Sequence, residues 1–143
     1  MKQGFVKVAS ATPRIRVADP VYNAQVICEQ AKEAAEHGAK IVVFPELCIT
    51  GYTCNDLFLQ ELLLEKAKEA LLTIAEETGQ LETLFLVGLP VDKDGRLYNV
   101  AAVLYRGRIL GMIPKKNIPM YAEFYEGRHF TPGEETVTEY RLG

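Results

Sequence analysis

The chain has 143 residues, of which 48% are hydrophobic and 24% are charged, and its formal net charge is −3 at pH 7. This composition is typical of a globular domain or part of one, and it excludes a disordered chain. The Lys and Arg residues are spread along the sequence, so no basic patch indicates nucleic acid binding. No apolar run approaches the roughly 18 residues that a membrane-spanning helix needs.

The three cysteines, Cys28, Cys48 and Cys54, give an odd count with no disulfide spacing. The start of the chain, MKQGFVKVAS, lacks the apolar segment of a secretory signal. Both observations predict a reducing, cytoplasmic setting. The cysteines and histidines do not show the ligand spacing of a zinc site, so we expect no metal in this segment.

The first part of the sequence, residues 4–45, predicts a βαβ unit. A β-rich run at about 4–10 is followed by Asp19-Pro20, which is a strong helix start because it pairs an N-cap acceptor with a fixed φ. Gly38 is the expected residue after the end of this helix. The next run, AKIVVFP, is apolar on both faces, as is typical of a buried parallel strand.

A second helix is predicted from about Leu57 to Thr78. Its apolar face is expected to consist of Leu62, Leu63, Ala67, Ala70, Leu71, Ile74 and Ala75.

Three strands follow, with the sequences TLFLVGLP, LYNVAAVLY and RILGMIP. The turns Asp94-Gly95 and Arg106-Gly107 join them, and we predict a meander that extends the sheet. The segment after Pro114 is polar and aromatic with little periodicity, and we interpret the last ten residues as the start of a further strand. The fold class is therefore α/β.

Two charged residues follow predicted strand ends. Glu46 comes directly after the apolar run AKIVVFP, and Lys115 follows Pro114 at the end of RILGMIP. Side chains at the carboxyl ends of strands line the functional crevice of open α/β sheets. Glu46 could act there as a general base and Lys115 could stabilise an oxyanion. A loop salt bridge for the glutamate and a solvated lysine remain the alternatives.

Cys48 is close to Glu46 in sequence but is not expected to be its nucleophile. Residues two positions apart rarely face each other in a compact turn, whereas a nucleophile and its base must lie within about 2.6–3.2 Å. We therefore predict Cys48 as a small buried residue that fills the core. Cys28 lies on the apolar face of the first helix and is also expected in the core, and the role of Cys54 stays open.

Several motifs resemble those of a known superfamily. VVFPELCITGY resembles the glutamate motif of the carbon–nitrogen hydrolase (nitrilase) superfamily, and GMIPKKNIP resembles its lysine motif. TGYTCNDLF and PMYAEFYEGRHFTPG further resemble the amino-terminal glutaminase domain found in glutamine-dependent NAD⁺ synthetases. The resemblance implies that residues 1–143 are the amino-terminal portion of a nitrilase-like amidase domain. The implied fold is an incomplete αββα sandwich with open sheet edges and uncovered apolar faces, and no synthetase domain is expected in this segment.

The resemblance also implies roles for individual residues. Glu46 corresponds to the general base and Lys115 to the group that stabilises the tetrahedral oxyanion. Glu123 resembles a second glutamate that supports the site, and Tyr121 and Tyr52 resemble tyrosines near the substrate. An edge salt bridge for Glu123 and core positions for both tyrosines are the alternatives. The nucleophilic cysteine of the family lies on a later strand, so we expect no nucleophile in this chain.

By the same resemblance, the intact protein would hydrolyse glutamine and pass ammonia to a synthetase domain of the same polypeptide. That domain would use ATP and Mg to amidate deamido-NAD⁺, and the protein would form a homo-oligomer. The isolated chain is expected to be inactive. Two alternatives stay open: part of a stand-alone carbon–nitrogen hydrolase that acts on another small amide, and a non-catalytic oligomerising fragment.

Overall fold

The computed structural model describes residues 3–121 and 126–142, which form a five-stranded mixed sheet with two long helices. The strands lie side by side in chain order, and the first three are parallel while the last three are antiparallel. They are β1 (Val8–Ser10), β2 (Ile41–Val43), β3 (Leu84–Lys93), β4 (Arg96–Tyr105) and β5 (Arg108–Pro114). The predicted α/β class is confirmed.

The predicted βαβ unit is present, with the helix α1 (Pro20–Glu36) connecting β1 to β2. The side chain of Asp19 accepts a hydrogen bond from the backbone N–H of Tyr22 at 3.1 Å, which caps the helix as expected. Gly38 follows the helix with φ of +85°, a conformation that glycine adopts without steric strain. Local sequence signals therefore set both ends of α1.

The second helix, α2 (Glu61–Glu77), begins later than the sequence predicted. A short 3₁₀ helix at Asn55–Leu59 comes first, and the extended backbone of Gln60 separates it from α2. The predicted position of Leu62 in the core is wrong, since its side chain is 69% exposed and Leu64 is buried instead. Spacings of three and four residues from Ala67 reach positions 64 and 63 but not 62, and this explains the difference.

The three-stranded meander is confirmed. Asp94 and Gly95 have φ of +52° and +75°, and Arg106 and Gly107 have φ of +50° and +78°. Two consecutive residues with positive φ are the pattern of tight hairpin turns whose twist matches that of the flanking strands.

The two faces of the sheet differ in their environment. The helices cover the face that carries buried apolar side chains from the central strands, which are Phe85, Val87, Leu89, Val100, Ala102 and Leu104. On the opposite face Ile41, Val43 and Ile113 are 37%, 45% and 59% exposed. The prediction that β2 is buried on both faces therefore holds for one face only, and the expected uncovered apolar face is present.

The carboxyl-terminal segment differs from the sequence prediction. Residues 134–142 form no strand, and their described contacts involve side chains rather than a backbone ladder. Lys93 donates a hydrogen bond to the hydroxyl of Thr138 at 2.9 Å, and the ammonium of Lys68 lies 5.8 Å from the ring centre of Tyr140. This segment thus lies against side chains of β3 and α2.

Within residues 3–121 and 126–142, neither helix has the length and apolarity that crossing a membrane would require.

Candidate active site

The loop after β2 carries Glu46 across the sheet rather than away from it. A Cβ atom at Gly88 would lie 2.4 Å from the backbone nitrogen of Leu47 and 2.9 Å from the carbonyl oxygen of Pro45. The backbone N–H of Ile49 donates a hydrogen bond to the carbonyl of Gly88 at 3.1 Å. The absence of a side chain at Gly88 therefore lets the loop pass directly over β3.

Lys115 continues the ladder between β4 and β5. Its backbone N–H donates to the carbonyl oxygen of Asn99 at 2.7 Å, one step beyond the pair formed by Val100 and Pro114. Directly opposed residues of an antiparallel pair project to the same face of the sheet. On that face the ammonium nitrogen of Lys115 lies 2.7 Å from Oε1 of Glu46.

A second carboxylate completes the cluster. Glu126 lies in a 3₁₀ turn at Glu126–Arg128 and its side chain is only 5% exposed. Its Oε1 and Oε2 atoms lie 2.9 and 3.1 Å from the Lys115 nitrogen, and the hydroxyl of Tyr52 donates to Oε1 at 2.8 Å. The lysine thus lies between two carboxylates, a geometry that keeps it charged.

The protonation of Lys115 follows from these contacts. Partial burial lowers the pKa of Lys115, but its hydrogen bonds to Glu46 and Glu126 outweigh burial and leave the pKa above its ordinary value. The ammonium group is therefore fully charged at neutral pH. A positive group fixed in this way can stabilise an oxyanion without rearrangement.

Asn99 adds a neutral hydrogen-bond donor to the cluster. Its side-chain amide donates to Oε1 of Glu46, the same oxygen that accepts from Lys115. Asn99 is only 3% exposed, so its side-chain amide is shielded from solvent. A cleft of about 350 Å³ opens beside these groups and includes Glu46, Asn99 and Lys115 in its lining. A larger cleft, of about 810 Å³, lies between the sheet and residues 134–142 and does not include Glu46, Lys115 or Glu126.

The turn that contains Glu126 is attached to the loop after β2 at a second point. His129 Nε2 lies 3.0 Å from a carboxylate oxygen of Asp56, and the hydrogen bond from His129 together with the charge of Arg128 lowers the pKa of Asp56. The rings of Phe58 and Phe130 meet edge to face at a centroid distance of 5.0 Å. Aromatic packing and a hydrogen bond thus hold the Glu126 turn in place.

The structure brings together three of the five predicted site residues. Glu46, Lys115 and Tyr52 converge on the cluster, which brings together residues that are 69 positions apart. Tyr121 is 69% exposed, and Glu123 lies outside the described residues. Lys116, the neighbour of the predicted lysine, forms an ion pair with Glu135 and not with Glu46.

Sequence reasoning did not select Glu126 or Asn99. Glu126 belongs to the string that carried the family resemblance, but nothing local indicated that its carboxylate would be buried. Asn99 carried a usable signal, because it is the one amide in the otherwise apolar strand sequence LYNVAAVLY. A buried polar group of this kind needs a hydrogen-bond partner, and that partner marks the site.

All three cysteines are buried. Burial raises the pKa of the Cys28 and Cys48 thiols to about 11, and it also raises the pKa of Cys54. The sulfur of Cys48 lies 3.4 Å from the backbone nitrogen of Gly88 and 3.7 Å from its carbonyl oxygen. Such thiols are protonated and inert at neutral pH, and the prediction that Cys48 and Cys28 are core residues is confirmed.

Across the two described ranges, no group of three or more His, Cys, Asp and Glu side chains is arranged to hold a metal ion.

A mixed α/β sheet that holds a glutamate against a lysine beside an open cleft defines a domain suited to acid–base and oxyanion chemistry. Residues 7–143 match the model of the carbon-nitrogen hydrolase family, and the chain belongs to that family.

Individual relatives show a narrower similarity. The chain is 39% identical over 142 residues to the glutamine-dependent NAD(+) synthetase of Mycobacterium tuberculosis, with 99% of this chain and 21% of the relative covered. It therefore spans about a fifth of that protein's length. The structure of a glutamine-dependent NAD(+) synthetase from Cytophaga hutchinsonii superposes with a TM-score of 0.87 at 30% identity, covering 94% of this chain and 23% of the other.

A smaller enzyme shares the fold as well. A variant of the amidase from Nesterenkonia sp. AN1, which carries the acetamide moiety of fluoroacetamide on its active-site cysteine, superposes with a TM-score of 0.75 at 25% identity. The alignment covers 91% of this chain and 49% of that amidase.

Proposed function

We propose that residues 1–143 form the amino-terminal part of the glutaminase domain of a glutamine-dependent NAD⁺ synthetase. The observation that carries this proposal is the contact of 2.7 Å between the Glu46 carboxylate and the Lys115 ammonium, in a cleft of a carbon-nitrogen hydrolase fold. The identity to synthetases along nearly the whole chain supports glutamine as the amide that is cleaved.

The reaction requires a thiol that these residues do not supply, because Cys28, Cys48 and Cys54 are buried and protonated. A cysteine from outside residues 1–143 would attack the side-chain amide of glutamine while Glu46 accepts the thiol proton. Glu46 then gives this proton to the leaving nitrogen, and ammonia departs. A water molecule next loses a proton to Glu46 and attacks the thioester. The carbon–sulfur bond then breaks, Glu46 returns the proton to the sulfur, and glutamate leaves.

Lys115 supports both attacks through its positive charge. Its ammonium contacts one carboxylate oxygen of Glu46 and both carboxylate oxygens of Glu126, and these contacts hold the charge in place beside the cleft. This charge would stabilise the oxyanion that forms when the carbonyl carbon becomes tetrahedral. The raised pKa of Lys115 favours this role, since the group keeps its charge throughout the cycle.

The remaining predicted residues contribute to the substrate site. Tyr52, through its hydrogen bond to Glu126, borders the cluster and would contact glutamine together with Tyr121. Glu123 would act as the supporting glutamate that the family resemblance implies, while Glu126 is the buried carboxylate that the geometry favours for pairing with Lys115.

The wider setting follows from the same proposal. The ammonia would pass to a synthetase domain on the same polypeptide, which would use ATP and Mg to amidate deamido-NAD⁺. Those cofactors would be held outside residues 1–143. The protein would act as a cytoplasmic homo-oligomer.

A second candidate function is the hydrolysis of another small amide by a stand-alone member of the family, and the similarity to the Nesterenkonia amidase supports it. A third is a non-catalytic oligomerising fragment, which the exposed side chains of Ile41, Val43 and Ile113 support. Measuring ammonia release from glutamine and from acetamide separates the first two functions. A chain that forms oligomers and does not bind either amide would support the third.

The decisive experiment measures ammonia release from glutamine by the full natural polypeptide that contains these residues. The Glu46→Gln variant removes the base, and we expect a loss of kcat of about 10²–10⁴-fold. Glu82→Gln is a suitable control, because Glu82 pairs with Arg106 on the exposed surface. The isolated 143 residues should release no ammonia. Wild-type turnover in the Glu46→Gln variant would overturn the proposal.

A further inference from the structure

Asn99 is unusual in its surroundings. It lies in β4 between apolar residues, is 3% exposed, and has Pro90 as its partner on the neighbouring strand β3. A buried side-chain amide is unfavourable unless its hydrogen bonds are made. The partner in this case is the carboxylate of Glu46, which is 53 residues away in sequence.

Asn99 thus contacts both Glu46 and Lys115. The side-chain amide of Asn99 donates to Oε1 of Glu46, and its backbone carbonyl accepts from the N–H of Lys115 at 2.7 Å. Oε1 also accepts from the Lys115 ammonium, so two donors converge on the same oxygen atom. Two donors from different strands fix both the position of Oε1 and the direction in which the carboxylate points.

We propose that Asn99 is a positioning residue for the amide hydrolysis described above. It holds Oε1 of Glu46 against Lys115, and this assigns Oε2 as the oxygen that exchanges protons with the thiol, the leaving nitrogen and the water. The inference rests on the proposed function, because it concerns how the base is oriented in that reaction.

Without the side-chain amide of Asn99, Lys115 alone would have to orient the Glu46 carboxylate. An ammonium group is a compact charge that does not impose an orientation on a carboxylate, in contrast to a planar guanidinium. Without a second donor the carboxylate can rotate until Lys115 contacts both oxygens, and neither oxygen then faces the reacting atoms. Displacement of a catalytic group by about 1 Å costs roughly 10²-fold in rate.

The test uses Asn99→Asp in the full natural polypeptide. This substitution keeps the size of the side chain, replaces the donor with an acceptor, and places a like charge beside Glu46. We expect kcat to fall by about 10²-fold with little change in KM, and the acid limb of the kcat profile to move to higher pH.

Asn23→Asp is the matched control. Asn23 is also fully buried, and its amide donates to the carbonyls of Arg16 and Ile49 rather than to the cluster. This variant should lower the melting temperature and leave the position of the acid limb unchanged. If Asn99 had a purely structural role, Asn99→Asp would likewise lower the melting temperature and leave the acid limb of the kcat profile in place. An unchanged kcat profile for Asn99→Asp would therefore overturn the proposal.

A second variant covers the case in which Asn99→Asp does not fold. Asn99→Leu is of similar size and uncharged, and it should show the same loss of kcat. Crystal structures of the wild type and of Asn99→Leu test the orientation without any activity: we expect the Glu46 carboxylate to rotate in the variant. If the wild type releases no ammonia from glutamine, the proposed function fails, whereas an unchanged Glu46 carboxylate in Asn99→Leu refutes the role of Asn99.

Discussion

The ammonium nitrogen of Lys115 lies 2.9 Å from Oε1 of Glu126, a carboxylate whose side chain is 5% exposed. A carboxylate at this depth is stable in its charged form only when it is paired and hydrogen-bonded. Lys115 supplies the opposite charge and Tyr52 supplies a further hydrogen bond. The contact therefore joins the end of β5 to the turn at Glu126–Arg128, and it contributes to stability as well as to the charge pattern of the site.

Removal of the lysine should destabilise the domain. Lys115→Met leaves the buried Glu126 without its counter-charge, and we expect the free energy of unfolding to fall by about 1–3 kcal/mol. Urea denaturation of the full polypeptide, monitored by a spectroscopic signal that arises from this domain, measures the change. Lys116→Met is the control, since Lys116 forms an exposed pair with Glu135 and should change stability by about 0.5 kcal/mol or less. Adding Glu126→Gln to Lys115→Met should restore part of the loss, and an additive loss would contradict the pairing.

The close approach of the Glu46 loop to β3 leads to a second prediction. Gly88→Ala places a methyl group 2.4 Å from the backbone nitrogen of Leu47, so the loop must move away from the sheet. We expect a loss of about 1–3 kcal/mol in the free energy of unfolding, together with a lower rate of amide hydrolysis because Glu46 moves with the loop. Thermal denaturation and the ammonia assay measure the two effects.

Gly111→Ala provides the comparison for Gly88→Ala. Gly111 is also a strand glycine, but no atom other than those of its own chain neighbours lies within 4 Å of the Cβ position. Its replacement should leave both stability and activity near the wild-type values. Equal effects of Gly88→Ala and Gly111→Ala would show that the position of the Glu46 loop does not depend on the absence of a side chain at Gly88.

The buried thiols predict a pH dependence of stability. Burial raises the pKa of Cys28 and Cys48 from 9.0 to about 11, so the folded state favours the protonated thiols. The stability that these thiols contribute is fully present below pH 9, where they are protonated in both the folded and the unfolded protein. It is lost as the pH rises from 9 to 11. The shift at Cys48 corresponds to about 2–3 kcal/mol. The free energy of unfolding should therefore fall less steeply with rising pH in this window in Cys48→Ala than in the wild type.

Denaturation at pH 8 and at pH 10.5 provides this measurement. All other titrating groups are shared between the wild type and Cys48→Ala, so the difference in slope isolates the thiol. An identical slope in both proteins would mean that the Cys48 thiol ionises equally well in the folded and unfolded states.

The same burial predicts how the thiols react. Iodoacetamide at neutral pH should leave Cys28, Cys48 and Cys54 unmodified in the folded protein, because thiolate is the reactive species and none of the three side chains is exposed. Mass spectrometry of peptides from native and urea-treated protein measures the modification, and all three should be labelled only after unfolding. Rapid labelling of native Cys48 would restore it as a candidate nucleophile.

The secondary structure was predictable where its signals are local. The helix start at Asp19-Pro20, the glycine at position 38 and the turn Asp94-Gly95 act through side-chain caps and φ preferences within a few residues. The burial of Leu64 rather than Leu62 also follows from local spacing, because three and four residues before Ala67 lie positions 64 and 63 and not 62. The further strand predicted near the end of the chain was wrong because its outcome is not local: residues 134–142 lie against side chains of α2 and β3.

Local patterns in the chain were enough to predict the two helices, the first five strands, the positions of Glu46 and Lys115 just beyond two of these strands, and the burial of Cys48. The groups that lie next to the two charges depend on the three-dimensional fold. Strand register places Asn99 opposite Lys115, and the crossing at Gly88 brings in Glu46. Contacts between residues tens of positions apart depend on the packing of the whole sheet, and no local pattern of residues encodes them.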